Sequence, residues 1–136
     1  MIAITDQPID VDAAIAAAQS ERAGAVNVFI GTVRNHADRR AVVRLEYEAY
    51  DKMALKKIEE VAAEARRRWP VEKAAIVHRK GVLQIGEVAV VIAVSTPHRR
   101  ESFEACQYII DTIKQVVPIW KKEVYENGET WVAAHP

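Results

Sequence analysis

Two lysines, Lys114 and Lys121, stand seven positions apart in the segment DTIKQVVPIWKKE and are the residues best placed to do chemistry. Pro118 lies between them, and proline cannot continue a helix. The sequence therefore predicts that Lys114 lies near a helix C-terminus and that Lys121 lies on an extended segment beyond it. Two ammonium groups on different elements can converge on one anionic ligand. Each can act as a point charge or, where burial lowers its pKa, as an acid, base or covalent amine.

The alternative for Lys114 is an ordinary solvated helix face. Gln107, Asp111 and Lys114 share one side of the predicted helix, where an Asp111–Lys114 pair would contribute only about 0.2–0.5 kcal/mol. For Lys114 alone this alternative is the better one. Lys121, which follows the proline turn, makes a functional pair an equal alternative, because convergent polar groups are what a pocket requires.

Two further basic clusters stand at the ends of predicted elements. His98-Arg99-Arg100 begins the same helix, where cations oppose the helix dipole. A bound phosphate would explain them, since helix N–H groups and arginine forks both suit it; the alternative is a first turn that frays into solvent. Arg34-Asn35-His36 directly follows an apolar strand, where loop residues often carry function, although a plain polar loop is the simpler interpretation.

Composition narrows the class of protein. The chain has 136 residues, of which half are hydrophobic, and this predicts one domain over residues 1–136. Nineteen basic residues balance nineteen acidic ones, whereas nucleic-acid-binding proteins normally show a basic excess. No apolar run approaches the ~18 residues of a membrane span, and the first ten residues lack the layout of a signal peptide. We therefore expect a cytoplasmic protein that binds neither nucleic acid nor membranes.

The sequence offers no pattern for a metal or a bound cofactor. Cys106 is the single cysteine, and the four histidines form no HxH or HExxH motif. Cys106 falls on an apolar helical stripe, which indicates a small buried hydrophobe more than a nucleophile. The phosphate-binding and hydrolase signatures GxGxxG, GxxxxGK[ST] and GxSxG are absent. We expect no metal and no cofactor.

Periodicity predicts the elements that position these residues. Apolar residues at spacings of three and four indicate helices, and alternating or continuous β-branched runs indicate strands. The chain is predicted to be an α+β domain, with helices packed on a mostly antiparallel sheet and a C-terminal β-hairpin turning at Asn127-Gly128. The predicted elements are a helix from Asp10 or Asp12 to about Arg22, strands 25–33 and 42–50, a helix 51–69 capped by Asp51, strands 74–78 and 87–95, a helix from Thr96-Pro97 to Val117, and strands 119–125 and 130–134.

Four segments together resemble a known family. They are GTVRNH (31–36), ARRRWP (65–70), HRRESFEACQYIID (98–111) and KQVVPIWKKE (114–123). In order and spacing they are similar to the large, catalytic subunits of molybdopterin synthase, the MoaE family. The pattern HRxxxFEAxQxxxDxxKxxxPxWK is long enough that chance explains it poorly, and the resemblance covers the chain from about residue 24 onward.

The resemblance implies a fold, a reaction and partners. It implies an α/β hammerhead-type fold and a homodimer that receives a small ubiquitin-like sulfur carrier of the MoaD type at each end, giving a heterotetramer. The carrier ends in Gly-Gly with a C-terminal thiocarboxylate. Sulfur from two carriers in turn is transferred to cyclic pyranopterin monophosphate, and the product is molybdopterin, the dithiolene ligand of the molybdenum cofactor.

The resemblance also assigns site residues. Lys114 and Lys121 match the two active-site lysines of the family, and Arg34 matches an arginine of the pocket. His98 and Arg99 match a pair that holds the phosphate of the substrate. A basic residue near the C-terminus, which reaches across the dimer in the family, is replaced here by His135, so that contact is a departure from the pattern.

Two other functions are compatible with the residues. The chain could be a non-catalytic dimeric module that binds a phosphorylated small molecule or the carrier alone, although a pure binder has no need of both lysines. A purely structural subunit would leave the cations that oppose the helix dipole at 98–100 without a reason.

Overall fold

The structure is a computed structural model that describes the backbone of residues 1–126 and 128–133, and the side chains of residues 1–126 and 128. Over these residues, helices and strands alternate in the manner predicted for an α+β domain. The elements are β1 (Ile2–Thr5), α1 (Val11–Ala18), β2 (Ala25–Thr32), β3 (His36–Ala37), β4 (Arg40–Ala49), α2 (Asp51–Arg68), β5 (Lys73–Arg79), β6 (Gly81–Gln84), β7 (Val88–Thr96), α3 (Arg99–Val116), β8 (Ile119–Tyr125) and β9 (Gly128–Ala133).

The strands form two sheets, whereas one was predicted. The first sheet has the order β1-β5-β7-β2, in which β1 and β5 run parallel. The second has the order β3-β4-β8-β9, and β6 pairs with β4. All other pairings among the described strands are antiparallel. Sequence patterns that predict a strand do not predict which other strand it pairs with, so the division into two sheets could not be predicted from the sequence.

β7 is a central strand of the first sheet and is covered on both faces. Its Val91 and Ala93 pack in a small cluster with Ala14 and Ala18 of α1. The alternate residues of β7, such as Ile92, belong to the main core together with residues of α2 and α3. The sequence of this strand, EVAVVIAVS (87–95), is almost entirely apolar and so predicts burial on both faces, which the structure confirms.

The end of α3 lies where Pro118 requires it. Val117 is the C-cap, and its N–H donates to the carbonyl of Ile113 at 3.1 Å. Ile119 then begins β8. Lys114 consequently occupies the last turn of α3 and Lys121 lies on β8, which confirms the elements predicted for both lysines.

The sequence predicts that Phe103, Cys106, Ile110, Ile113 and Val117 form one apolar stripe of α3. The prediction is wrong at Phe103, and Ile110 is only half-buried. Cys106, Ile113 and Val117 are buried. Phe103, by contrast, is 62% exposed, and Ser102 takes the inward position. A step of four back from Cys106 reaches Ser102 and a step of three reaches Phe103, so periodicity alone could not choose. The Ser102 hydroxyl is satisfied inside the fold, because it donates to the carbonyl of Arg99 at 2.6 Å.

The alternation of residues 42–50 predicts that Val43, Leu45, Tyr47 and Ala49 share one face of β4, and a bulge changes this face at its start. Leu45 and Tyr47 are buried as expected, but Val43 is exposed and Val42 is buried in its place. The pairing of β4 with β8 shifts register between Val42 and Arg44. One extra residue at that point reverses the alternation before it, which a strict period of two cannot anticipate.

Three strands and three helix limits differ from the predictions. α3 begins at Arg99 and not at Thr96-Pro97, because β7 continues to Thr96. β1, β3 and β6 were missed because each has four residues or fewer, too few to show a period. α1 ends at Ala18, not near Arg22, and a local bond from the Arg22 N–H to the Ser20 hydroxyl at 3.2 Å replaces a further turn. Asp51 is the first residue of α2, not its cap, and its carboxylate pairs with Lys80 at 2.6 Å.

Candidate functional site

A cavity of about 410 Å³ lies where the two sheets face each other beside the last turns of α3. The first sheet provides one wall through β2, β5 and β7, and the second provides the opposite wall through β4 and β8. Its lining residues are Phe29, Ile30, Gly31, Thr32, Arg34, Leu45, Tyr47, His78, Ala89, Val90, Ile110, Ile113, Lys114, Lys121 and Glu123. This volume is within the range of small-molecule sites.

Strand register places Lys121 and Glu123 in this cavity. On β8 they are two residues apart, so they point to the same side of the second sheet. Their partners on β4 are Tyr47 for Lys121 and Leu45 for Glu123, and all four side chains line the cavity. The position of Trp120 next to Lys121 in the sequence predicts that it could wall the pocket. Its ring instead points to the opposite side and meets Tyr50 edge-on at 5.3 Å, so this prediction is wrong.

Lys114 and Arg34 reach the same cavity from other elements. Lys114 arrives from the last turn of α3, and Arg34 follows the end of β2. Both side chains are exposed, whereas Lys121 is half-buried between the sheets. Among the described residues Lys114 has no ion pair, so the Asp111–Lys114 pair of a plain solvated face is not formed. Three cations thus converge on one hollow.

Burial and the neighbouring charges both change the pKa of Lys121. Burial lowers the pKa of the Lys121 ammonium below its ordinary value. The nearby Glu123 carboxylate opposes the shift, while the positive charges of Lys114 and Arg34 add to it. The charged form of Lys121 is therefore less stable here than that of a lysine in water, and an anion bound in the cavity would stabilise it.

We predict that Lys121→Met makes the free chain more stable at pH 7. The unfolded chain has an ordinary lysine pKa, so between the lowered folded value and about 10.4 the unfolded state binds more protons and wild-type stability rises with pH. The excess in free energy of unfolding of the variant over wild type should therefore be largest below this pH window and should shrink as pH rises through it. Urea unfolding of both proteins at pH 7 and pH 10 measures this, and a variant that is less stable at pH 7 would contradict it.

The inner part of the cavity carries acceptors instead of cations. Glu123 is 8% exposed, and its carboxylate accepts a hydrogen bond from the Tyr125 hydroxyl at 3.1 Å. Tyr47 contacts the His78 ring edge-on, with 5.2 Å between the ring centres. Burial, with a further contribution from Glu123, raises the pKa of Tyr47 to about 12, so its phenol stays protonated. The site is basic at its rim and acceptor-rich inside.

His98 and Arg99 lie at the other end of α3. His98 is the N-cap and Arg99 the first helical residue, so His98 stands just before the first turn in which it was predicted. From Arg99 to Lys114 the helix runs roughly 22 Å at about 1.5 Å per residue, and neither residue lines the cavity. Within one chain, therefore, the predicted cations form two groups. His135 lies outside the described residues.

The cations at this end of α3 differ in their partners. Arg100 pairs with Glu104 at 3.1 Å, one turn further along, so Arg100 needs no phosphate to explain it. Arg99 and His98 are exposed, and the Arg99 guanidinium makes no ion pair with any described residue. His98 and Arg99 are therefore the two residues at the start of α3 whose positive charge a bound phosphate would still explain.

Cys106 is the buried residue that the sequence predicted. It is 3% exposed in the main core, and burial raises the pKa of its thiol to about 11. A thiol held protonated in apolar surroundings is a poor nucleophile. Within the described part of the chain no group of three or more metal-ligating side chains comes together, and no described helix is long and apolar enough to span a membrane.

The family model described as "MoaE protein" matches residues 4–116. The chain belongs to the MoaE family. Curated MoaE relatives include the molybdopterin synthase catalytic subunit of Bacillus subtilis, which is 51% identical over 95% of this chain and 82% of its own length. That of Halalkalibacterium halodurans is 52% identical over 96% of this chain and 83% of its own length.

A solved structure supports the MoaE fold directly. The crystal structure of molybdopterin synthase from Staphylococcus aureus matches with a TM-score of 0.92 at 44% identity, covering 96% of this chain and 95% of that one. The hammerhead-type α+β architecture predicted from the resemblance is thereby confirmed.

Glu123 and His78 are among the polar residues of this MoaE cavity that sequence reasoning missed. Glu123 could have been found, since it stands two positions after Lys121 on a predicted strand and must face the same side. His78 could not, because its place depends on how β5 joins the first sheet and how the two sheets meet.

Proposed function

We propose that this chain is the catalytic subunit of a molybdopterin synthase. It transfers sulfur from the C-terminal thiocarboxylate of a small ubiquitin-like carrier to cyclic pyranopterin monophosphate, which yields the dithiolene of molybdopterin. Membership of the MoaE family and the printed names of its relatives support this reaction. The observation that carries it is the convergence of Arg34, Lys114 and Lys121 on one cavity.

The charge of the cavity suits both reactants. The carrier tail ends in an anion, and the pterin substrate carries a cyclic phosphate. Three cations at one hollow attract both in a chain whose overall charge is zero. Because Lys114 and Arg34 are exposed at the rim and Lys121 is half-buried, an anion that enters meets positive charge from the rim as far as Lys121.

The two lysines have separate roles in this proposal. Lys114, at the rim, orients the thiocarboxylate and stabilises the acyl intermediate that the carrier forms with the substrate. Lys121 neutralises the charge that develops as the cyclic phosphate opens, or transfers a proton in that step. Its lowered pKa suits the second role, since an ammonium that gives up its proton more readily is a better acid.

His98 and Arg99 fit the reaction only through a second copy of the chain. Roughly 22 Å of helix separates Arg99 from Lys114 in one copy, so a phosphate held by both groups must lie between two copies. We propose a homodimer in which these residues hold the phosphate of a substrate bound at the partner's cavity. His135 remains a predicted contact across the same interface. With one carrier at each cavity the assembly is a heterotetramer, and the cytoplasm is its predicted location.

A turnover assay tests the proposed function. The purified chain is incubated with cyclic pyranopterin monophosphate and a carrier that bears either a C-terminal thiocarboxylate or a carboxylate. Dithiolene product should form only with the thiocarboxylate, and the carrier should return as the carboxylate. Binding of both reactants without product would instead identify a non-catalytic binding module.

A further inference from the structure

His78 is a buried polar residue of the cavity that the proposed lysine chemistry does not use. It lies on β5, is 2% exposed and still lines the cavity. Its Nδ1 is 2.8 Å from the carbonyl oxygen of Arg79. A carbonyl can only accept, so Nδ1 carries the proton and donates it, which leaves Nε2 with a free lone pair. Among the described residues nothing donates to that nitrogen.

The imidazole is a fixed acceptor and not a proton donor at neutral pH. Burial lowers the pKa of His78 to about 4, although the bond to the Arg79 carbonyl opposes the shift. The edge-on contact with Tyr47 holds the ring in place. Because His78 lines the cavity, a ligand bound there can donate a hydrogen bond to Nε2.

Glu123 is a second acceptor on the facing sheet. One of its oxygens accepts from the Tyr125 hydroxyl, and the carboxylate retains further acceptor positions. Arg34 and Lys114 are exposed, whereas Glu123 and His78 are buried. A ligand that satisfies the whole cavity is therefore anionic at one end and carries N–H donors at the other.

We propose that His78 and Glu123 form the subsite for the N–H edge of the pterin ring, with His78 as a specificity-determining residue that accepts one of its hydrogen bonds. This inference rests on the proposed function. The aminopyrimidinone part of a pterin presents an amino group beside a ring N–H, which matches the carboxylate and the nitrogen acceptor that line this cavity. The phosphate lies at the other end of the molecule, toward the cations. The alternative donor is a glycine amide of the carrier tail.

Two variants of His78 test the subsite. His78→Phe keeps an aromatic ring and removes the acceptor, while His78→Gln keeps an acceptor. Titration calorimetry with cyclic pyranopterin monophosphate, without carrier, should show about tenfold weaker binding for His78→Phe, the worth of one hydrogen bond. His78→Gln should stay within about threefold of wild type. KM should rise for His78→Phe more than kcat falls. Wild-type substrate affinity in His78→Phe would overturn the proposal.

A measurement on the unaltered chain keeps the proposal testable if His78→Phe does not fold. In a chain labelled with ¹⁵N-histidine, the His78 resonances are assigned as those that are missing from His78→Gln. The Nε2 resonance of His78 should shift when cyclic pyranopterin monophosphate is added. Inorganic phosphate and a peptide of the carrier tail should leave it unchanged. An equal shift with the tail peptide, or none with the pterin, would overturn the proposal.

The outcomes separate this inference from the proposed function. If the wild-type chain makes no dithiolene with a thiocarboxylated carrier, the proposed function fails. If the wild-type chain does make product and His78→Phe binds the pterin normally, only the subsite fails.

Discussion

Lys114→Ala should reduce dithiolene formation by about 10³-fold or more while the chain stays folded. The Lys114 side chain is exposed at the rim of the cavity, so its removal should leave the packing of the core unchanged. It takes away the ammonium group that meets the thiocarboxylate and the acyl intermediate. Single-turnover product formation with thiocarboxylated carrier measures the loss, and urea unfolding confirms the fold.

Two further variants sharpen this result. Lys73→Ala removes an exposed lysine of β5 that lies outside the cavity and should keep wild-type turnover. Lys114→Arg keeps the positive charge but cannot lose a proton at any working pH. Substantial activity in Lys114→Arg would assign Lys114 a purely electrostatic role. Wild-type turnover in Lys114→Ala would show that the chemistry takes place without this lysine.

Two inactive variants should restore activity when they are mixed within one dimer. Arg99→Ala should lose at least about 10²-fold in turnover at low substrate concentration. The reason is that the charge-assisted hydrogen bonds from the guanidinium to the phosphate of the substrate are lost. Lys114→Ala is inactive for the reason given above. If Arg99 serves the partner's cavity, a mixed dimer has one cavity with both changes and one with neither. Random mixing then leaves about a quarter of all cavities intact.

The measurement needs co-purified mixed dimers that carry two different tags, with each variant alone as the baseline. Because every purified dimer is mixed, one cavity in two is intact, and turnover near half of the wild-type value per cavity is the expected result. A mixture in which no activity returns would mean that Arg99 and Lys114 act on substrate held by the same copy, or that Arg99 has no part in it. The helix length that separates the two residues argues against the first of these.

Local rules in the sequence were sufficient for the elements that carry the lysines. Pro118 fixed the end of α3, and its position alone put Lys114 on a helix and Lys121 on a strand. The continuous apolar run of β7 likewise predicted that this strand is buried on both faces. These features depend on neighbours along the chain, which a single sequence displays.

The remaining features depend on contacts between distant segments. The division into two sheets, the bulge at Val42 and the burial of Ser102 in place of Phe103 follow from pairing and packing. The cavity itself exists only because two sheets meet, so His78 could not be assigned to it from sequence. The separation of Arg99 from Lys114 in one chain, by contrast, already follows from the predicted helix that contains both residues.

The position of the carrier tail tests the central claim most directly. A crystal structure of this chain with a carrier that ends in Gly-Gly should show the terminal carboxylate between the two sheets. An oxygen of that carboxylate should lie within about 3.2 Å of the Nζ atom of Lys114 or Lys121. A tail that binds elsewhere on the chain, with the cavity of Arg34, Lys114 and Lys121 left to solvent, would contradict the account.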